Sequence, residues 1–156
     1  MNLFDEHNGP VSGLSVNNPS EFDSLNGLIL TSSYDWTVKL WSPNNKDSLR
    51  TFEHSDDYIY DVDWNPSNPS IFATVNNDGA IDLFDLTRDL EQPIAHKKIN
   101  NLAQNKCKWN RDGSIIMSGD SAGNLHLSVL VERFRKIDGT RLDNFESTLA
   151  ESNEEN

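Results

Sequence analysis

A unit of 43–47 residues recurs along this chain, and that period bounds the fold before any other feature does. His7 to His54 and Pro19 to Pro66 are each 47 apart; Asp35 to Asp78 and Trp41 to Phe84 are each 43 apart. Trp64 to Trp109 is 45, and Thr74 to Ser118 and Gly79 to Gly123 are each 44. A polar insert at 20–27 absorbs the four-residue difference in the first interval. Units of this size are supersecondary modules that bury a face only by stacking on a neighbour. Inside each unit the period is two. Tyr58, Tyr60, Val62 and Trp64 alternate with Ile59, Asp61 and Asp63, the pattern of a strand with one face buried. No helical spacing separates the strands, so the reading is all-β rather than parallel α/β.

The stretch Thr31–Trp41 defines the unit. It reads as two short strands around a polar turn, with Thr37, Lys39 and Trp41 on one face and Val38 and Leu40 on the other. A small residue, an Asp in the turn and an alternating run ending in Trp resemble the b–turn–c segment of a WD40 propeller blade. The expected architecture is therefore a partial β-propeller of about three four-stranded antiparallel blades within residues 1–137. The repeats are 7–53, 54–99 and 100–131. Leu49–Phe52 and Ile94–Ile99 are the expected outer strands, and the third repeat is degenerate. Residues 138–156 form an acidic tail. Leu142, Phe145 and Leu149 give it one apolar stripe and a candidate amphipathic helix over 141–152; the alternative is a disordered terminus.

The WD40 resemblance implies a buried hydrogen-bond chain from strand Trp to strand Ser or Thr, to His, to turn Asp. In the first repeat those positions are Trp41, Thr31, His7 and Asp35. The second keeps His54, Thr74 and Asp78 but has Phe84 for the Trp. The third keeps Ser118, with Ile99, Ala122 and Ser128 at the other places. Each buried polar group in such a chain needs a partner, because an unpaired one costs roughly 1–3 kcal/mol. A His joined to an Asp is also half of a hydrolase triad, but Thr31, tied to an indole, is no nucleophile. No catalytic residue, cofactor or metal is expected. His7, His54, His96 and His126 lack ligand spacing, Asp56 to Asp63 lacks the calcium-loop pattern, and no phosphate-binding glycine motif or nucleophile elbow occurs.

Charge narrows the partners. The net charge of -12 opposes binding to phosphate backbones, so nucleic acid is not expected. No run approaches the roughly 18 apolar residues of a membrane span, and the acidic start Met1–Glu6 has no apolar core of a secretory signal. Cys107 is the single cysteine; no internal disulfide can form, and its place, equivalent to that of Val62 in the preceding repeat, reads as a buried structural thiol. Glu53 to Asp63 holds five acids and no base, and Lys97 to Arg111 five bases and no acid. These runs read as solvated loops or as complementary surfaces for partners. Tyr34 and Trp36, in or beside a turn where a blade has little need of bulk, are the candidate partner-binding surface.

Ser32 to Trp41 closely resembles the same stretch of dynein intermediate chains, cytoplasmic type. Tyr58 to Pro66, Gly119 to Gly123 and the tail from Phe145 to Glu151 also match, so the resemblance runs from about His7 to about Ser152. It implies a non-catalytic scaffold subunit, cytoplasmic and cytoskeleton-associated, whose propeller docks on the dynein heavy chain and which contacts further dynein subunits. The family's N-terminal extension, which binds light chains and dynactin, is not matched here. Glu53-His54 stands where the family has Gly-His. Closed propellers have 4–8 blades, so three blades are expected to be a C-terminal piece of a larger wheel or a subunit closed by a partner. The alternative function is another WD40 adaptor, such as a ubiquitin-ligase substrate receptor.

Overall fold

The computed structural model describes residues 3–17, 25, 27–88, 91–135, 139–141, 143–145 and 147. Eleven strands form three antiparallel sheets among these residues. The first blade is β1 (Val11–Val16), β2 (Ile29–Ser33), β3 (Val38–Trp41) and β4 (Arg50–Phe52), paired in sequence order. The second repeats it with β5 (Ile59–Trp64), β6 (Ile71–Asn76), β7 (Ala80–Asp85) and β8 (Ala95–Lys98). The third has three strands, β9 (Gln104–Trp109), β10 (Ile115–Asp120) and β11 (Leu125–Val129). Strand is thus the dominant regular structure among the described residues, in a partial propeller, as the period predicts. No fourth strand covers the outer edge of β11 among the described residues.

Two cores alternate with the blades. Leu30, Val38, Leu40 and Phe52 from the first blade meet Ile59, Val62, Trp64, Phe72 and Phe84 from the second. Ile71, Ala73, Val75, Ile81 and Leu83 on the opposite face of the second blade meet Cys107, Trp109 and Ile116 of the third. The second blade is therefore covered on both faces, and every residue of β6 and β7 is buried. The end blades each leave one face open. Val11, Leu14 and Val16 are exposed on β1, and Leu125, Leu127 and Val129 on β11. Burying each core aromatic or aliphatic side chain contributes roughly 1.5–3 kcal/mol, so the two faces of the second blade carry most of the hydrophobic stabilisation.

Each inner strand begins with a bulge: between Val11 and Gly13, between Ile59 and Asp61, and between Gln104 and Lys106 opposite Gly119 and Asp120. An extra residue in one strand reverses the side-chain parity. Strict alternation from Tyr58 to Trp64 is therefore corrected. Ile59 joins the core beside Val62 and Trp64, and Tyr60 leaves it.

Polar joints tie the inner strands of neighbouring blades. Ser15 Oγ accepts from Trp64 N at 3.0 Å and donates to Asp63 Oδ1 at 3.3 Å. Asp61 Oδ2 accepts from Cys107 N at 3.1 Å, and Asp63 Oδ2 from Trp109 N at 2.9 Å. Lys106 pairs with Asp61 at 3.3 Å and Lys108 with Asp63 at 2.5 Å. Members of the acidic and basic runs thus meet each other across one blade joint. The hydrogen bond to Asp63 raises the Lys108 ammonium above its usual value. At Gly13 an added Cβ would lie 2.5 Å from Asp61 Oδ1, so the joint requires a residue without a side chain there. Cys107 is buried in this joint; burial first, then Asp61 and Asp63, raise its thiol well above the ordinary value.

After β11 the chain makes a short helix, α1 (Glu132–Arg135), whose Phe134 closes the second core. The spacing did not predict this helix. Residues 139–141, 143–145 and 147 are helical, and Phe145 is buried in the first core. Leu142 and Leu149 of the proposed stripe lie outside the described residues, as does most of the 20–27 insert.

Candidate functional site

In the first blade four side chains form a continuous chain. Trp41 Nε1 donates to Thr31 Oγ1 at 2.8 Å. Thr31 Oγ1 lies 2.7 Å from His7 Nε2, and His7 Nδ1 lies 2.8 Å from Asp35 Oδ2. The directions close if Thr31 donates to Nε2 and Nδ1 carries the proton. Asp35 also accepts from Asn8 N at 2.9 Å and from Thr37 N and Oγ1 at 3.0 and 2.7 Å. The N-terminal segment roofs this chain: the Phe4 ring lies 5.1 Å from that of Trp41, and Glu6 pairs with Lys39 at 3.4 Å. Trp41 is consequently 2% exposed although its blade is at an open end.

Burial alone would raise the Asp35 carboxyl, but hydrogen bonds from Thr37, His7 and Asn8 outweigh it and bring it from 3.8 to about 2. A carboxylate held below its unfolded value adds stability that is complete above the unfolded value and is lost as pH falls through the folded one. Between about pH 5 and pH 2 the chain is expected to lose roughly 2 kcal/mol that an Asp35→Asn variant does not have to lose. Urea midpoints of the two chains, measured across that range, should therefore converge in acid.

The second blade is wired differently. His54 Nε2 lies 3.4 Å from Thr74 Oγ1 and 3.7 Å from Asp82 Oδ2. The expected partner, Asp78, instead pairs with Lys98 at 2.5 Å and is largely exposed. Placing Asp78 in this chain is corrected: the acid beside His54 comes from β7, where Asp82 stands opposite Thr74 in register. Asp82 also holds His96 Nδ1 at 2.6 Å. Phe84 fills the Trp position and packs edge-on against His54 at 4.5 Å.

The third blade carries a network that spacing missed. Ser118 Oγ donates to Gln104 Oε1 at 2.7 Å, and Gln104 Nε2 donates to Asn100 Oδ1 at 3.1 Å. Asn100 Nδ2 reaches Asp120 Oδ2 at 3.0 Å, and His126 Nε2 lies 2.9 Å from the same oxygen. Hydrogen bonds from His126 first, then Asn124 and Asn100, hold the Asp120 carboxyl far below its usual range. Gln104 and Asn100, not Ile99, carry the link from Ser118 to Asp120 in this blade.

One rim gathers aromatics. Tyr34, Trp36 and Tyr58 are 42%, 49% and 45% exposed. The Tyr34 ring lies 5.4 Å from Tyr58 and 5.5 Å from Tyr60. The bulge releases Tyr60 from the sheet pattern, and its hydroxyl donates to Asn77 Oδ1 at 3.1 Å while Asn77 Nδ2 donates to Asp57 at 2.8 Å. Trp36 has φ 73°, where the corresponding turns have Gly79 and Gly123 at 88° and 86°. A non-glycine residue held there costs about 1–3 kcal/mol. This half-exposed bulk lies outside both cores.

The WD domain, G-beta repeat, matches residues 1–42 and 46–85, just over half of the chain. The chain belongs to the WD40 repeat family. The matched segments cover β1 to β7, with the His7–Asp35 and His54–Asp82 chains described above. This WD40 chain is also similar to the cytoplasmic dynein 1 intermediate chain of Drosophila melanogaster, with 34% identity over 150 residues. The similarity covers 96% of this chain and 23% of that relative. The resemblance to dynein intermediate chains read from the residues is thus borne out; the chain spans under a quarter of the relative's length.

Proposed function

We propose that this WD40 chain is a non-catalytic scaffold segment of a cytoplasmic dynein complex, docking on the dynein heavy chain and supporting microtubule-based transport. The observation that carries the reading is the identity with a dynein intermediate chain along nearly the whole of the chain. The buried chemistry agrees with a scaffold role. The His7–Asp35 pair is engaged at both ends, by Thr31 and Trp41 on one side and Thr37 and Asn8 on the other. The contact surface is the rim carrying Tyr34, Trp36 and Tyr58, since Trp and Tyr dominate binding hot spots.

Trp36→Gly separates binding from folding. Glycine relieves the left-handed strain, so the melting midpoint should hold or rise, by the equivalent of about 1 kcal/mol. Capture of dynein heavy chain from lysate by the full chain should fall about tenfold or more. Undiminished capture would remove the rim from the reading. Failure of the wild-type chain to capture heavy chain would remove the dynein role itself.

A further inference from the structure

Beside the aromatic rim lies a polar cavity of about 540 Å³, lined by His54, Asp56, Asp57, Asp78, Asp82 and His96 among others. His54 is 2% exposed, and its Nδ1 is the one buried side-chain nitrogen or oxygen without a hydrogen-bond partner among the described residues. Its other nitrogen faces the Thr74 hydroxyl and the Asp82 carboxylate. The Asp82 carboxylate, 3.7 Å from Nε2, only accepts and so favours the tautomer with the proton on Nε2, in which Nδ1 presents a lone pair. Burial lowers the imidazole's affinity for a second proton, which keeps it neutral. In the first blade the same position is closed, because Asp35 meets His7 Nδ1 at 2.8 Å. In the second, Asp78 pairs with Lys98 instead, and no described side chain meets His54 Nδ1.

We propose that this cavity receives an arginine side chain from a basic segment of a partner protein. What the site lacks is an N–H donor, and what surrounds it is negative charge. A guanidinium supplies five donors in a planar fork and a permanent positive charge. One N–H satisfies His54 Nδ1, and Asp56, Asp57 and Asp82 line the rest. Asp57 is shared with the rim through Asn77 and precedes Tyr58, so the stem and backbone of the incoming segment lie against Tyr58 and Tyr34. The inference does not depend on the partner being a dynein subunit.

The test uses the full chain and three short peptides of the same sequence, bearing arginine, lysine or citrulline at one central position. Citrulline keeps the shape and loses the charge. The arginine peptide is expected to bind about tenfold more tightly than the citrulline peptide, with lysine between. The nitrogen-15 resonance of His54 Nδ1, initially of the bare-nitrogen type, should move toward the hydrogen-bonded value. Asp57→Asn should weaken arginine binding several-fold with the melting midpoint unchanged. Equal binding of the arginine and citrulline peptides overturns the proposal. So does an unmoved His54 resonance, or an Asp78→Ala variant as destabilised as Asp35→Ala, which would mean that Asp78 closes on His54 in solution. Capture of heavy chain without arginine preference would refute this site while leaving the dynein reading intact.

Discussion

Trp41→Ala is expected to lower the stability of the chain by about 3–5 kcal/mol. That is a large share of the roughly 5–15 kcal/mol typical of a folded domain. Two losses combine. The indole is fully enclosed between the sheet and the Phe4 segment, so truncation opens a cavity. Its N–H also supplies the first link to Thr31, behind which stand His7 and Asp35. Trp41→Phe largely separates the terms: it keeps most of the volume and removes the N–H, as Phe84 does naturally in the second blade. It should cost about 1 kcal/mol. Thermal melts should show Trp41→Ala falling by roughly 6–20 °C and Trp41→Phe by a few degrees. A cooperative wild-type-like melt for Trp41→Ala would show that the chain of hydrogen bonds does not hold the blade.

Much of the architecture could be read from spacing, because a blade is a short-range object. Strand, turn and strand from Thr31 to Trp41 follow from alternation and one polar turn, and the structure pairs Leu30 with Leu40 and Thr31 with Lys39 as that requires. The bulges were invisible for a physical reason. An inserted residue such as Tyr60 carries no compositional mark, yet it reverses every assignment before it in the strand. The short helix α1 was missed because four residues cannot display a helical period.

The polar chains were legible in proportion to how closely each follows the first. His7, Thr31, Asp35 and Trp41 kept the spacing. In the second blade the acid migrated from the turn to the strand, from Asp78 to Asp82, since any carboxylate within reach of the imidazole satisfies the same need. In the third an amide pair, Asn100 and Gln104, substitutes for the imidazole, and residue type gives no warning of it. The opposed charge runs illustrate the same limit. Their complementarity was evident in the sequence, but only the adjacency of β5 and β9 shows that Asp61 and Asp63 meet Lys106 and Lys108 within the chain.

That adjacency leads to the second large effect. Asp63→Ala should destabilise the chain by about 3–5 kcal/mol, through the joint between blades rather than through one blade. Asp63 is 4% exposed and serves three donors: Trp109 N, Lys108 Nζ and Ser15 Oγ. Removing it leaves the Trp109 amide buried without a partner and takes away the Lys108 counter-charge. Lys108→Met removes only a largely exposed ammonium and should cost about 1 kcal/mol or less. Asp63→Asn retains an oxygen for the Trp109 amide and should fall between the two. Because β9 docks on β5 through these bonds, hydrogen exchange in Asp63→Ala should quicken across β9 to β11 while β1 to β3 keep their protection. Uniform loss of protection across the first blade would instead mean that the blades unfold as one unit and that the joint is not a separable element.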